Sequence, residues 1–212
     1  MESTKGVPKP VQARAEATIA TVIEATVEAL ESGNEADVRI DEILAKTGIS
    51  KGSLYHHFGG REGLIAAARV VQFSRFVEAD SEIIREQLTK TTTRDEFLAA
   101  VGQMTNLVNT VERQRARFSR FSAVSSAYGR PELWEALAYQ QNKHTEAIAD
   151  AIRYGQTHGW VRKDLDARAV SVFVQGYSLS RVLGDLDTDP ISDEQWNAVV
   201  RAAISSFLIP AD

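Results

Sequence analysis

Apolar positions along the chain recur at three- and four-residue intervals, the spacing that aligns side chains on one face of a helix. Between Val11 and Glu31, the residues Ile19, Val22, Ile23, Val27 and Leu30 form one such stripe, and Gly33-Asn34 ends it. Ile40, Ile43 and Leu44 make a shorter stripe closed by Gly48, where a helix end favours the left-handed backbone that glycine adopts at least cost. Ser50 then offers a side-chain oxygen to cap a new helix carrying Leu54 and Phe58 four residues apart. From Arg61 a long helix is predicted through Leu88, with Leu64, Ile65, Ala68, Phe73, Phe76, Val77, Ile83 and Ile84 at its apolar positions.

Thr91, Thr92 and Thr93 interrupt the pattern, and Thr93 with Glu96 has the spacing of a capping box opening a helix to about Thr110. Further helices cover Glu112 to Tyr128, ended by Gly129, and Pro131 to about His158, closed by Gly159. Asp166 caps a further helix to about Leu186, and a second capping box at Ser192 and Gln195 opens the last one, to about Leu208. No stretch alternates convincingly with period two, so the chain reads as all-α. Residues 1–10, with Pro8 and Pro10, read as a flexible arm. Its Lys5 and Lys9 belong to a solvated tail, a DNA contact being the alternative.

Two short helices around a glycine turn, within Arg39 to Leu64, have the form of a helix-turn-helix, whose second helix can enter the major groove of DNA. Charge supports this reading. The chain carries a net charge of −5, yet no carboxylate stands between Glu42 and Glu62, a window holding Lys46, Lys51, His56, His57 and Arg61. A phosphate-facing surface must exclude carboxylates, because repulsion would cancel the gain from counterion release. The plainer alternative is a helical hairpin whose polar face meets only water.

With 212 residues, 43% hydrophobic and 25% charged, the chain can bury a substantial core as one large or two small domains. Its acidic balance excludes a basic coat protein, so any DNA contact must come from a local patch. It has no cysteine, which rules out disulfides and thiol catalysis and suits a reducing cytoplasm. No secretory signal and no bilayer-spanning apolar run is visible, so no membrane association is expected. Gly-rich phosphate loops and nucleophile elbows are absent. His144 and His158 stand about 21 Å apart by helical rise, too far to share a metal. Asp185, Asp187 and Asp189 resemble the start of a calcium loop, but Pro190 and Trp196 occupy its glycine and closing glutamate positions. No cofactor is implied.

The run Leu44-Ala45-Lys46-Thr47-Gly48-Ile49-Ser50-Lys51-Gly52-Ser53-Leu54-Tyr55-His56-His57-Phe58, then Arg61-Glu62-Gly63-Leu64, closely resembles the DNA-binding signature of TetR-type transcriptional regulators. Gly60 and Arg61 stand where that family usually has Ser and Lys, and Thr47 replaces a small alanine. The resemblance implies an all-α chain with a three-helix DNA-binding domain over residues 11–64. A helical effector-binding and dimerisation domain would then cover residues 65–212. It further implies a repressor, not an enzyme, released from a palindromic operator by a small-molecule effector. A protein-interaction bundle or an enzyme without DNA binding is the alternative.

The DNA-facing candidates are Lys46, Ser50, Lys51, Gly52, Ser53, Tyr55, His56 and Arg61. Lys51 is expected to reach a phosphate or a guanine edge, Ser53 and Tyr55 to donate hydroxyl hydrogen bonds to phosphates, and Gly52 to allow close approach. Lys46 and Arg61 suit contacts with the DNA backbone. The last two helices carry Val170, Phe173, Val174, Tyr177, Trp196, Val199, Val200, Ala203, Ile204 and Phe207, which suit either core or interface. The family resemblance makes them a homodimer interface of four helices. Phe73, Met104, Phe118, Phe121, Trp134, Tyr139, Phe173 and Tyr177 are candidates to line an apolar effector cavity, each being individually compatible with plain core. The densest basic run, Glu112 to Arg117 with Arg120, reads as a solvated helix face, an anionic effector being the alternative.

Overall fold

A computed structural model of the chain describes the backbone of residues 10–108, 110 and 113–208, and their side chains except at 10–15, 108 and 206–208. The N-terminal arm with Lys5 and Lys9, Glu112, and the side chain of Phe207 lie outside the described residues. Among those residues there are nine α-helices and no strand. They are α1 (Pro10–Ser32), α2 (Ile40–Thr47), α3 (Lys51–Phe58), α4 (Arg61–Leu88), α5 (Arg94–Val108), α6 (Gln114–Ser126), α7 (Pro131–Thr157), α8 (Ala167–Asp185) and α9 (Asp193–Leu208). The chain divides into two compact units, one ending at Gln72 and the other beginning at Phe73.

In the first unit the apolar stripe of α1 meets the short helices. Val22 and Ala25 pack with Ile43, Ile49, Leu54 and Leu64, while Val27 and Leu30 pack with Val38, Ile65 and Ala68. Gly48 ends α2 at φ 70° and donates its N–H to the Leu44 carbonyl, as its place after the stripe predicts. The sequence pattern stops α1 at Gly33-Asn34 but gives no sign of the 3-10 turn over Glu35–Asp37. Asn34 Oδ1 accepts from the Ala36 amide at 2.8 Å, and Asp37 Oδ2 accepts from the Asn34 amide at 3.0 Å. Gly63 has a steric reason: a Cβ there would collide with the Phe58 carbonyl oxygen, a backbone atom that cannot step aside.

In the second unit α8 packs along α7 and α6, and α9 along α5. Ile84 and Leu88 share a core with Phe97, Ile148, Ile152, Val170, Val200 and Ile204. The predicted caps form: Thr93 with Glu96, Ser192 with Gln195, and Asp166 with the Ala169 amide. Pro131 takes the first turn of α7.

The basic run of α6 is not a solvated face. Arg113, Arg117 and Arg120 fall on one side of the helix by their four- and three-residue spacing, and that side is turned inward. Arg117 is 6% exposed, and Arg113 and Arg120 are half-buried. Carboxylates make this tolerable. Asp80 accepts from Arg113 at 2.9 Å, and Asp185 accepts from Arg117 Nε and Nη2 at 3.0 and 2.7 Å. Asp185 also stands 3.5 Å from Arg181 Nη1, an electrostatic contact without hydrogen-bond geometry, while Arg181 Nη2 donates to the Ile191 carbonyl. Gly184 leaves room for that guanidinium, which lies 2.6 Å from where a Cβ would stand.

His144 is buried among these helices, its Nδ1 3.1 Å from Ser81 Oγ. Burial, then the nearby Arg120 charge, lowers its pKa from 6.5 to about 4, with Asp80 opposing the shift.

Asp185→Ala, which takes from buried Arg117 the carboxylate it grips through two nitrogens and leaves Arg181 with Asp193 alone, is expected to cost about 3–5 kcal/mol in urea denaturation. A loss below about 1 kcal/mol would mean that water reaches Arg117. His144 gives a pH dependence. Its folded pKa lies below the unfolded value, so its contribution is complete above pH 6.5 and is lost as pH falls toward 4. The drop is expected to be about 3 kcal/mol at most, and His144→Gln should flatten stability over that window. An unchanged pH profile in this variant would show that another group sets it.

Candidate nucleic-acid interface and cavity

Helix α3 begins where Ser50 leaves extended backbone and accepts the Ser53 amide on its hydroxyl at 3.2 Å. One side chain sets the orientation of the helix: Leu54, 0% exposed, is sunk into the cluster around Val22 and Ile43. Lys51, Gly52, Tyr55, His56 and His57 are consequently exposed, and Ser53 is half-buried. The His56 and His57 rings meet edge to face at 5.1 Å. No acidic residue lies in the first turn, and no carboxylate pairs with Lys51 among the described residues. Around Gly52 a Cβ would meet nothing within 4 Å, so the fold itself does not require glycine there.

Gly59 and Gly60 connect α3 to α4. Gly60 has φ 134°, a conformation that side chains with a Cβ rarely adopt, and this accounts for glycine at the position where the TetR-type pattern has serine. The Tyr55 ring lies over it, 3.4 Å from where a Cβ would stand.

Arg61 and Lys46 are differently placed. Arg61 Nε donates to the Val38 carbonyl at 3.0 Å, Nη1 to Glu62 at 2.9 Å and Nη2 to the Glu35 carbonyl. All three nitrogens are therefore used within the unit, fastening the 3-10 turn to the start of α4, and a phosphate would have to displace one of them. Lys46 pairs with Glu28 on the surface of α1. Both groups are more than half exposed, so this pair is weak and exchanges readily.

The second unit contains a cavity of about 150 Å³. Of the aromatic and sulfur-bearing candidates, Met104 and Tyr177 line it. Phe73 is fully buried elsewhere, Phe118 is half-buried, and Phe121, Trp134, Tyr139 and Phe173 are more than half exposed. The walls are instead largely aliphatic, including Ile84, Val101, Ile148 and Val174. One region is polar, formed by Asp80, Arg113, Arg117, Arg120, His144 and Gln175. Sequence reading misses His144 and Gln175, since a polar residue inside a helical run carries no sign of which way it faces. The arginines did carry one, in their one-sided spacing. Burial raises the pKa of the Tyr177 hydroxyl, against hydrogen bonds with Thr105 and Ser178.

The interface candidates on α8 and α9 divide. Val170, Val200 and Ile204 are buried in the core of the unit, and Val174, Tyr177 and Trp196 pack against it. Ala203 is half-buried. Phe173 and Val199 are exposed, as are Val172, Leu183 and Leu186 on the same two helices and the turn after α8.

Among the described residues no group of three His, Asp or Glu side chains could hold a metal, and no helix is long and apolar enough to cross a membrane.

Comparison with known proteins bears on both units. Residues 22–68 match the family model for bacterial regulatory proteins of the tetR family. No curated protein shows detectable similarity to the chain. Its fold is similar to that of a candidate transcriptional regulator from Saccharomonospora viridis solved in complex with choline. That structure has a TM-score of 0.69 at 16% identity, covering 92% of this chain and 100% of the other. A candidate TetR-family regulator from Mesorhizobium loti gives 0.70 at 16% identity, over 92% and 96% of the two chains. One from a Rhodococcus species gives 0.66 at 21% identity, over 91% and 99%. Residues 22–68, which include α2 and α3, thus carry the DNA-binding signature of the tetR family, and the helical architecture that continues beyond them is similar to that of these solved structures.

Proposed function

We propose that the chain acts as a homodimeric repressor, two copies of α3 reading the halves of a palindromic operator, and that a small molecule in the second unit releases it. The residues to Gln72 read DNA, and those from Phe73 bind effector and dimerise. It works in the cytoplasm, by binding and without a catalytic step. The observation that carries this reading is α3 itself. Its exposed face holds Lys51, Tyr55 and His56, with Ser53 half-buried beside them and no carboxylate, on a helix that Leu54 locks in place. Such a face suits phosphates and base edges. Lys51 and Tyr55 are assigned to DNA contacts, and Lys46 joins them by giving up Glu28.

Dimerisation is supported by Val172, Phe173, Leu183, Leu186 and Val199, large apolar side chains left exposed on α8, α9 and the turn between them. One reading head makes few contacts, whereas two joined heads add their affinities through effective concentration. The effector role is supported by the cavity and by the choline held by the Saccharomonospora viridis protein. Release requires differential affinity for two states, typically about 1–3 kcal/mol of coupling.

Selection from random duplex DNA should return a palindrome. On that operator Lys51→Ala is expected to weaken binding and to reduce the salt slope by about one. Gly52→Ala is expected to separate stability from function. It should stabilise the free protein by about 0.5–1 kcal/mol while weakening operator binding, because the added methyl stands where the DNA backbone approaches. Retained affinity in both variants would remove α3 from the interface. Light scattering should report twice the 23.3 kDa chain mass. Val199→Glu with Phe173→Glu should yield a folded monomer, and a dimer that survives both changes would place the interface elsewhere.

A further inference from the structure

The chemistry of the cavity lining narrows the effector to a class. Three arginines contribute to the polar region, and two are matched within the chain. Arg113 meets Asp80 at 2.9 Å, and Arg117 meets Asp185 at 2.7 Å. Arg120 is not matched. Among the described residues no carboxylate lies within ion-pairing distance of it, and Asp80, the charge that influences it, is already held by Arg113. Its hydrogen bond is a long one, from Nη2 to Gln175 Oε1 at 3.4 Å, and that oxygen already accepts from Gln141 Nε2 at 2.6 Å. Phe73 offers its ring at 5.9 Å, a weaker form of compensation. Burial disfavours the charged form of Arg120, as expected for a guanidinium taken from water without an anion.

Gln175 is fixed in turn by Thr145 and Ser171, so the receiving geometry is built rather than loose. Beside it, Ser81 occupies Nδ1 of His144 and leaves Nε2 for a cavity occupant. A planar guanidinium with unused N–H groups matches a carboxylate in shape and charge. Since Arg113 and Arg117 are already neutralised, the region supplies one unmatched positive charge. It suits a monoanion better than a phosphate dianion and opposes a cation.

Size completes the description. A cavity of about 150 Å³ lined by aliphatic side chains is the size that holds benzene in an engineered protein interior. We propose that the cavity of the second unit binds a small apolar monocarboxylate, with a body about the size of one aromatic ring and its carboxylate on Arg120. This rests on the reading of the cavity as the effector site and adds the chemistry of the effector.

The test is calorimetric titration of the intact protein with four probes: benzoate, phenylacetate, the neutral benzyl alcohol and the cation benzyltrimethylammonium. At least one carboxylate should bind at least about ten-fold more tightly than the alcohol, the preference that a charge-assisted hydrogen bond supplies. The cation should give no binding heat. Arg120→Gln should bring carboxylate and alcohol within about three-fold of each other, and Arg120→Lys, which keeps the charge, should retain part of the preference. The melting temperature of each variant reports whether it is folded, and the wild-type ranking stands if either is not. No carboxylate binding at millimolar concentration, equal affinity for the alcohol, or an unchanged preference in folded Arg120→Gln would each overturn the proposal. Operator release is measured separately. Release by the neutral probe alone would sink the carboxylate and keep the effector site, whereas carboxylate binding without any effect on DNA would do the reverse.

Discussion

Taking a guanidinium out of water costs several kcal/mol unless a carboxylate goes with it, and the second unit is arranged around that requirement. Its helix α6 is unusual in turning a basic face inward. Such a face survives only because α4 supplies Asp80 and the end of α8 supplies Asp185, each from a helix distant in sequence. The same Asp185 lies beside Arg181, whose other nitrogen reaches the Ile191 carbonyl ahead of α9. Asp185 thus ties α6 to α8, while Arg181 joins α8 to the start of α9 through the Ile191 carbonyl and Asp193.

The same requirement is informative where it is not met. Lys51 on α3 and Arg120 in the cavity have no carboxylate paired with them among the described residues, although the chain as a whole is acidic. An exposed ammonium loses little by this, since water solvates it. A half-buried guanidinium loses more, and Arg120 has only a shared amide oxygen and an aromatic face beside it. Both positions fit the proposed arrival of a negative charge from outside the chain, a phosphate for one and a carboxylate for the other.

Much of the fold was legible in the sequence because its signals are local. Caps at Ser50, Thr93, Asp166 and Ser192 act within four residues, and the structure forms each of them. The exposed face of α3 was legible too, since Leu54 and Phe58 are the apolar positions of that short helix and so define its inside. What could not be read depends on which of several apolar faces points inward. Trp134 and Tyr139 are large and aromatic, yet they lie on the outside of α7, while Leu133, Leu137 and His144 face in. Arg61 shows the same limit. Its position in the motif suggests a phosphate contact, but the carbonyls of Glu35 and Val38, more than twenty residues earlier, are what it touches. No local rule anticipates a partner brought there by the 3-10 turn.

Glycine separates the demands of folding from those of function in the first unit. Gly63 is dictated by the fold, because the Phe58 carbonyl occupies the place of a Cβ, and Gly60 by its backbone angle. Gly52 answers to neither: its backbone is ordinary helix and the space beside it is open. Glycine at an exposed helical site weakens the helix by about 0.5–1 kcal/mol relative to alanine. No contact within the chain requires glycine there, which is consistent with the proposed approach of a partner to α3 from outside. The surface that comes closest to a helix N-terminus lacking carboxylates, beside an exposed lysine, is the phosphate backbone of DNA.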